Sequence, residues 1–185
     1  MITGAGIITA LGAGWQPNAE GFRAGRVAIR HLTLFDVSRQ RVKVAAQVDL
    51  PAALPSTHLS ASVLRRMDRA GVLLLIAAHE AWQGAGLGPS EELPLVLGTT
   101  SGGMGLGESY YRHAIQAPHS RRQQATRVSH YQAQRQGLDL ANAFGASGPI
   151  TIIANACASV IPAIKSITVR FVCFSSLPAS SIASR

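Results

Sequence analysis

The sequence has little charge, few aromatics and almost no cysteine. Charged residues make up 14% of the 185 positions and aromatics 5%, against 47% apolar residues. Low charge with high apolar content excludes a disordered chain, which shows the opposite balance. Scarce aromatics leave little for base stacking, and no nucleic-acid-binding module is recognisable. Binding to nucleic acid is therefore not expected, despite a formal charge of +8. The two cysteines, Cys157 and Cys173, make no disulfide framework and fit the free thiols of a cytoplasmic protein. The longest apolar run, residues 71–78, falls far short of the roughly 20 residues that span a bilayer. No basic segment followed by an apolar run opens the chain. Neither membrane insertion nor export is expected.

Two local absences matter more. No acid lies between Glu108 and Asp139, yet Arg112, Arg121, Arg122, Arg127 and Arg135 all do. Such a stretch is either a solvated face or a docking patch for an acidic partner. From residue 160 to 185 there is no Gly, Asp or Glu, and six of the 26 residues are serine. The chain elsewhere is rich in glycine, with 18 in all.

What is present reads as alternating strands and helices. Residues 1–12 suggest a short strand running into a Gly-rich turn, and 42–48 a second β-like run. The strongest helix covers 62–84. There Val63, Met67, Ala70, Leu74, Ala77 and Ala81 recur at helical spacing, Ser60 or Ser62 can cap the start, and Gly84 and Gly86 mark the stop. Arg65, Arg66 and Arg69 near its start oppose the helix dipole, so each needs a partner elsewhere. His79 reads as a structural histidine. A strand at 93–98, a helix at 130–144 and an apolar strand at 150–154 follow. This alternation predicts a largely parallel, buried sheet of the α/β class.

The last strand runs straight into Asn155-Ala156-Cys157-Ala158-Ser159. A cysteine between a buried strand and a following helix sits at that helix's N-terminus. The unpaired amides and the dipole there favour a thiolate, and the same amides can donate to an oxyanion on an attacked thioester. Small neighbours leave room for substrate. An inert buried thiol is the competing reading.

The ordered motifs favour the reactive reading. The opening Thr3-Gly4-Ala5-Gly6-Ile7-Ile8-Thr9-Ala10-Leu11-Gly12 resembles that of β-ketoacyl-acyl-carrier-protein synthases. Ala24-Gly25-Arg26, Phe35-Asp36 and the run 41–48 follow in the family's order. Leu64-Arg65-Arg66-Met67-Asp68-Arg69 and Glu80-Ala81-Trp82-Gln83-Gly84-Ala85-Gly86-Leu87 resemble the ends of its signature helix. Leu97-Gly98-Thr99-Thr100-Ser101-Gly102-Gly103 resembles its internal turn, and Gly148-Pro149 with Ala156-Cys157-Ala158-Ser159 its nucleophile region. The resemblance implies the N-terminal half of a thiolase-like fold, a mostly parallel sheet with buried helices, here incomplete. It implies acyl transfer onto Cys157, then decarboxylation of a malonyl-carrier thioester and carbon–carbon bond formation, in fatty acid or polyketide synthesis. It calls for no cofactor and no metal. Its implied partners are an acidic acyl carrier protein, for which the Arg112, Arg121, Arg122, Arg127 and Arg135 stretch is the candidate dock, and a second copy or a separate complementary chain.

The pattern departs from the family after Ser159. Small residues are expected there, but Val160-Ile161-Pro162 follow. Inside a helix, Pro162 would remove a donor and clash with the preceding turn. Residues 1–159 are therefore expected to form the family domain. Residues 160–185 are expected to be a divergent tail, out of frame or disordered. The family's two assisting histidines and its lysine follow the cysteine. Here all six histidines, His31, His58, His79, His113, His119 and His130, precede Cys157, and Lys165 follows it too closely. The chain alone is then expected to be inactive and poorly soluble; the alternative role is that of a non-catalytic interaction remnant. A dinucleotide site at Gly4-Ala5-Gly6 is the weaker rival, because Thr9 replaces the third small residue of that fingerprint.

Overall fold

The computed structural model describes residues 2–89, 92–100, 103–119 and 124–155. Its elements are β1 (Ile8–Thr9), β2 (Gly12–Ala13), α1 (Trp15–Arg23), β3 (Arg30–His31), β4 (Val44–Ala45), α2 (Ala61–Leu64), α3 (Arg69–Gly84), β5 (Leu95–Gly98), α4 (Met104–Gln116), α5 (Gln124–Tyr131), α6 (Ala133–Phe144) and β6 (Ile150–Ile153). The strands pair in twos. β1 with β2 and β3 with β4 are antiparallel, and β5 with β6 is parallel.

The core lies where α3 and α6 pack beside the parallel pair. Leu74, Leu75, Ala78 and Trp82 of α3 meet Leu95 and Leu97 of β5 and Leu140, Ala141, Ala143 and Phe144 of α6. The rings of Trp82 and Phe144 stack at 4.9 Å between centroids. Ile150 and Ile152 pack against this cluster from β6. His79 sits at its margin, 6.3 Å from the Phe144 ring, as a structural histidine would.

The sequence predicts one helix over 62–84, but the chain forms two. Asp68 takes an extended conformation (φ −72°, ψ 165°) and its carboxylate accepts from the Gly71 amide. This N-cap starts α3 at Arg69 and leaves α2 as a single turn. Of the three cations that needed partners, Arg69 has one, donating to the Val48 carbonyl. A second division occurs at Gln132, whose extended backbone (φ −68°, ψ 137°) separates α5 from α6. α6 ends at Gly145, which turns left-handed (φ 68°) and returns its amide to Ala141.

α3 is apolar nearly all round because both sides are covered. α6 and β5 take one side. On another the N-terminal segment lies against the helix so closely that a Cβ on Gly4 would fall 2.2 Å from the Ala81 carbonyl oxygen, and one on Gly6 only 1.9 Å from that of Ala77. These two glycines serve packing, which gives a cause for the Gly-Ala-Gly sequence other than a dinucleotide.

Candidate functional site at the carboxyl edge of the parallel pair

β5 and β6 run in register from Leu95 opposite Ile150 to Gly98 opposite Ile153. Bonds from Leu95 N to Pro149 O (2.9 Å) and from Thr99 N to Ile153 O (3.0 Å) continue the ladder at both ends. Two parallel strands therefore finish together, with no side chain of β5 reaching solvent. In open α/β sheets, the carboxyl edge is where ligands bind. Ala154 and Asn155 emerge there, both exposed. The chain then continues to Cys157, which lies outside the described residues, as do Lys165, Cys173 and the tail from residue 160.

Thr99, the first residue beyond β5, is buried at this edge. Sequence reasoning treated it only as part of a Gly-rich turn. The available signal was a hydroxyl in line with Leu95 and Leu97.

The basic stretch is divided between α4, α5 and α6. Arg121 and Arg122 lie outside the described residues. Arg112, on α4, bonds the carboxylate of Glu108 through Nε (3.0 Å) and Nη2 (2.6 Å), and stays two-thirds exposed. Arg135, on α6, places Nη2 2.8 Å from Oδ1 of Asp139, whose side chain is only 5% exposed. The angles of that contact fall short of a hydrogen bond, and both Arg135 Nε and Asp139 Oδ1 are buried without a hydrogen-bond partner. Arg127 on α5 is half-buried, its Nη1 enclosed and likewise unbonded. The two acids that bound the acid-free stretch are thus the partners of its first and last arginines.

A polar cluster at the amino end was missed by sequence reasoning. Glu80 of α3 accepts from the amides of Ile7 (2.9 Å) and Trp15 (2.6 Å). Asn18, 1% exposed, donates to the carbonyls of Gly12 and Gly14 and accepts from the Thr9 hydroxyl. The signal for Glu80 was an acid inside an otherwise apolar helix.

Among the described residues, no group of three or more His, Cys, Asp or Glu is placed to hold a metal ion. No helix there is long and apolar enough to cross a membrane.

A family model described as "Beta-ketoacyl synthase, N-terminal domain" matches residues 1–170, running past Ser159, where a departure from the family pattern was expected. The "Putative polyketide beta-ketoacyl synthase 1" of Streptomyces halstedii is 31% identical over 181 residues, covering 89% of this chain and 40% of its own length. Among solved structures, "The ishigamide ketosynthase/chain length factor" matches with a TM-score of 0.78 at 25% identity, over 88% of this chain and 41% of that one. A type II polyketide synthase ketosynthase, solved in complex with its acyl-carrier protein and bound to a hexaketide, shares the fold with a TM-score of 0.64 at 16% identity, over 88% and 39%. The chain spans about two fifths of the length of these relatives. With its parallel pair leading to Cys157 and the incomplete α/β fold of a thiolase-like ketosynthase, the chain belongs to the β-ketoacyl synthase family, of which it carries the N-terminal domain.

Proposed function

We propose that this chain provides the acyl-accepting part of a β-ketoacyl synthase acting in polyketide-type chain extension, with Cys157 as nucleophile. The supporting observation is the parallel pair, which brings β6 to the carboxyl edge directly before that cysteine. In the first step the Cys157 thiolate attacks an acyl-carrier thioester. The acyl group moves to the cysteine sulfur, and the carrier leaves as its thiolate. In the second, a malonyl-carrier thioester loses carbon dioxide, and the resulting enolate attacks the acyl-cysteine. A carbon–carbon bond forms and the cysteine thiolate is released. Splitting the condensation in this way is the gain of covalent catalysis.

The second step needs groups that this family places after the cysteine. We therefore assign acylation to this chain and condensation to its combination with a downstream half or a complementary chain. The carrier would dock on the basic stretch. Arg112 presents its guanidinium outward there, whereas Arg135 is largely neutralised by Asp139. Arg121, Arg122 and Arg127 complete the proposed dock.

Incubation with an acyl-carrier thioester, followed by peptide mass spectrometry, tests the proposal. The expected result is an acyl adduct on the Cys157 peptide, absent in Cys157→Ser, with no decarboxylation of malonyl-carrier until the downstream half is supplied. Full reactivity of Cys157 toward a small alkylating agent with no acyl adduct would overturn it.

A further inference from the structure

We infer that the outer face of the β3–β4 ribbon is a docking surface for an acidic amphipathic helix of another protein. The inference rests neither on Cys157 nor on the arginine stretch of α4 and α5. In the ribbon Arg30 pairs with Ala45 and His31 with Val44. The Leu32 amide donates to the Lys43 carbonyl (2.9 Å), which carries the ladder one step further. Residues directly opposite share a face, and neighbours along a strand alternate. One face therefore holds Arg30, Leu32, Lys43 and Ala45, and the other Ile29, His31, Val42 and Val44.

The first face is turned inward, with Leu32 only 7% exposed. The second is uncovered: Ile29, Val42 and Val44 are 60%, 68% and 51% exposed. An antiparallel ribbon with one face packed normally turns a polar face to water. Single exposed apolar side chains are ordinary, but three on one face of a two-stranded ribbon form a patch, and a patch marks a contact site.

The surrounding charge says what covers it. Residues 22–50 hold six cations and two acids. Both acids are engaged, Asp49 by Arg30 and Asp36 by the Ser38 amide and hydroxyl. Arg39 and Arg41 lie exposed in the connection between the strands, and Lys43 on the free edge of β4. Among the described residues, none of the three forms an ion pair. Their long stems can reach a partner seated over the outer face. A second copy of this chain would set these cations against their own kind, whereas an acidic partner meets them with opposite charge. A helix also fits the shape. About 10 Å across, it spans two strands about 4.8 Å apart, and its apolar stripe closes on Ile29, Val42 and Val44.

The probe is a fluorescein-labelled synthetic peptide with leucine and glutamate at helical spacing, titrated with the full 185-residue chain and followed by anisotropy. Saturable binding is expected. Val42→Thr with Val44→Thr keeps the strand preference and should weaken binding about tenfold. Arg39→Gln with Arg41→Gln should weaken it about tenfold at low salt. Arg65→Gln with Arg66→Gln removes the same charge elsewhere and should stay within about twofold. Should the valine pair not fold, Ile29→Thr is read the same way. Absence of binding, or an equal loss in the two charge variants, overturns the inference. Binding to anionic phospholipid vesicles but not to the peptide also overturns it, because a lipid surface then takes the face. Self-association that the valine pair abolishes assigns the face to a second copy and overturns it too.

Discussion

The α3–α6 core and the α4–α5 pair are both helical, yet they are held in opposite ways. In the core, apolar side chains close on one another until Leu75 is fully buried and Ala143 nearly so. α4 buries none of its side chains. It leans on α5, where the Tyr131 ring lies across Gly107, and it leaves Tyr111 and Ile115 more than 60% exposed. Buried apolar area is the main source of folding free energy, at about 25 cal/mol per Å². The core therefore sets the stability of the chain, whereas the α4–α5 pair is surface, enriched in the arginine and tyrosine typical of contact sites. The proposed nucleophile follows β6, which packs against the first region, and the proposed dock lies largely on the second.

Truncation at matched positions gives the largest contrast. Leu75→Ala removes a side chain with no exposure and should cost about 3 kcal/mol of stability in urea titration. Ile115→Ala, on the exposed face of α4, should change it by less than about 0.5 kcal/mol. A comparable loss at both positions would mean that α4 is covered in solution, by another chain or by a downstream segment.

The polar contacts at the amino end come next. Glu80 holds the Ile7 and Trp15 amides together across the β1–β2 hairpin. Glu80→Gln sets the donor NH2 of a side-chain amide against one of these backbone donors and should cost about 2 kcal/mol. Hydrogen exchange at Ile7 and Trp15 should accelerate, while the amides of β5 keep their protection. Loss of protection in β5 as well would join the hairpin to the core as one cooperative unit.

The two i,i+4 ion pairs sharpen the same comparison at smaller scale. Arg135 and Asp139 belong to the core side, and the acid is 5% exposed; Arg112 and Glu108 lie on α4 at 67% and 34%. Asp139→Asn strands a half-buried guanidinium and should cost about 1–2 kcal/mol. Glu108→Gln should cost no more than about 0.5 kcal/mol. It also frees Arg112 of the Glu108 carboxylate, so carrier binding through the basic stretch should strengthen, as titration at low salt would show.

Much of the fold was legible because its signals were periodic or ordered. The helical spacing from Ala70 to Ala81, the apolar run at 150–154 and the helix end at residue 144 have local causes, and they reappear as α3, β6 and the end of α6. The breaks at Asp68 and Gln132 were not legible from periodicity. Apolar spacing continues through Asp68, and only its carboxylate bond to the Gly71 amide interrupts the helix. Long-range contacts were hidden altogether. Glu80 reaches Ile7 across 73 positions, and Gly6 owes its identity to the Ala77 carbonyl. Of the candidate site, the strand that leads toward Cys157 was legible as an apolar run. The burial of Thr99 beside it was not, because it follows from the register of two strands 55 residues apart in their pairing.

The smallest effect concerns two carboxylates at the periphery of both regions. The Ser38 amide and hydroxyl hold Asp36 below the usual carboxylate range, and the Arg30 guanidinium does the same for Asp49. A carboxylate whose pKa is lower in the folded chain stabilises the fold only while it is charged. That contribution is complete above the unfolded value of about 4 and fades as pH falls through the lower folded value. Both groups are exposed, so screening keeps the contribution small. Urea midpoints of wild type and of the Asp36→Asn, Asp49→Asn double variant should therefore differ slightly but constantly from pH 8 to 5, and converge below about pH 4. A gap that instead closed near neutrality would show that these two carboxylates are not its source.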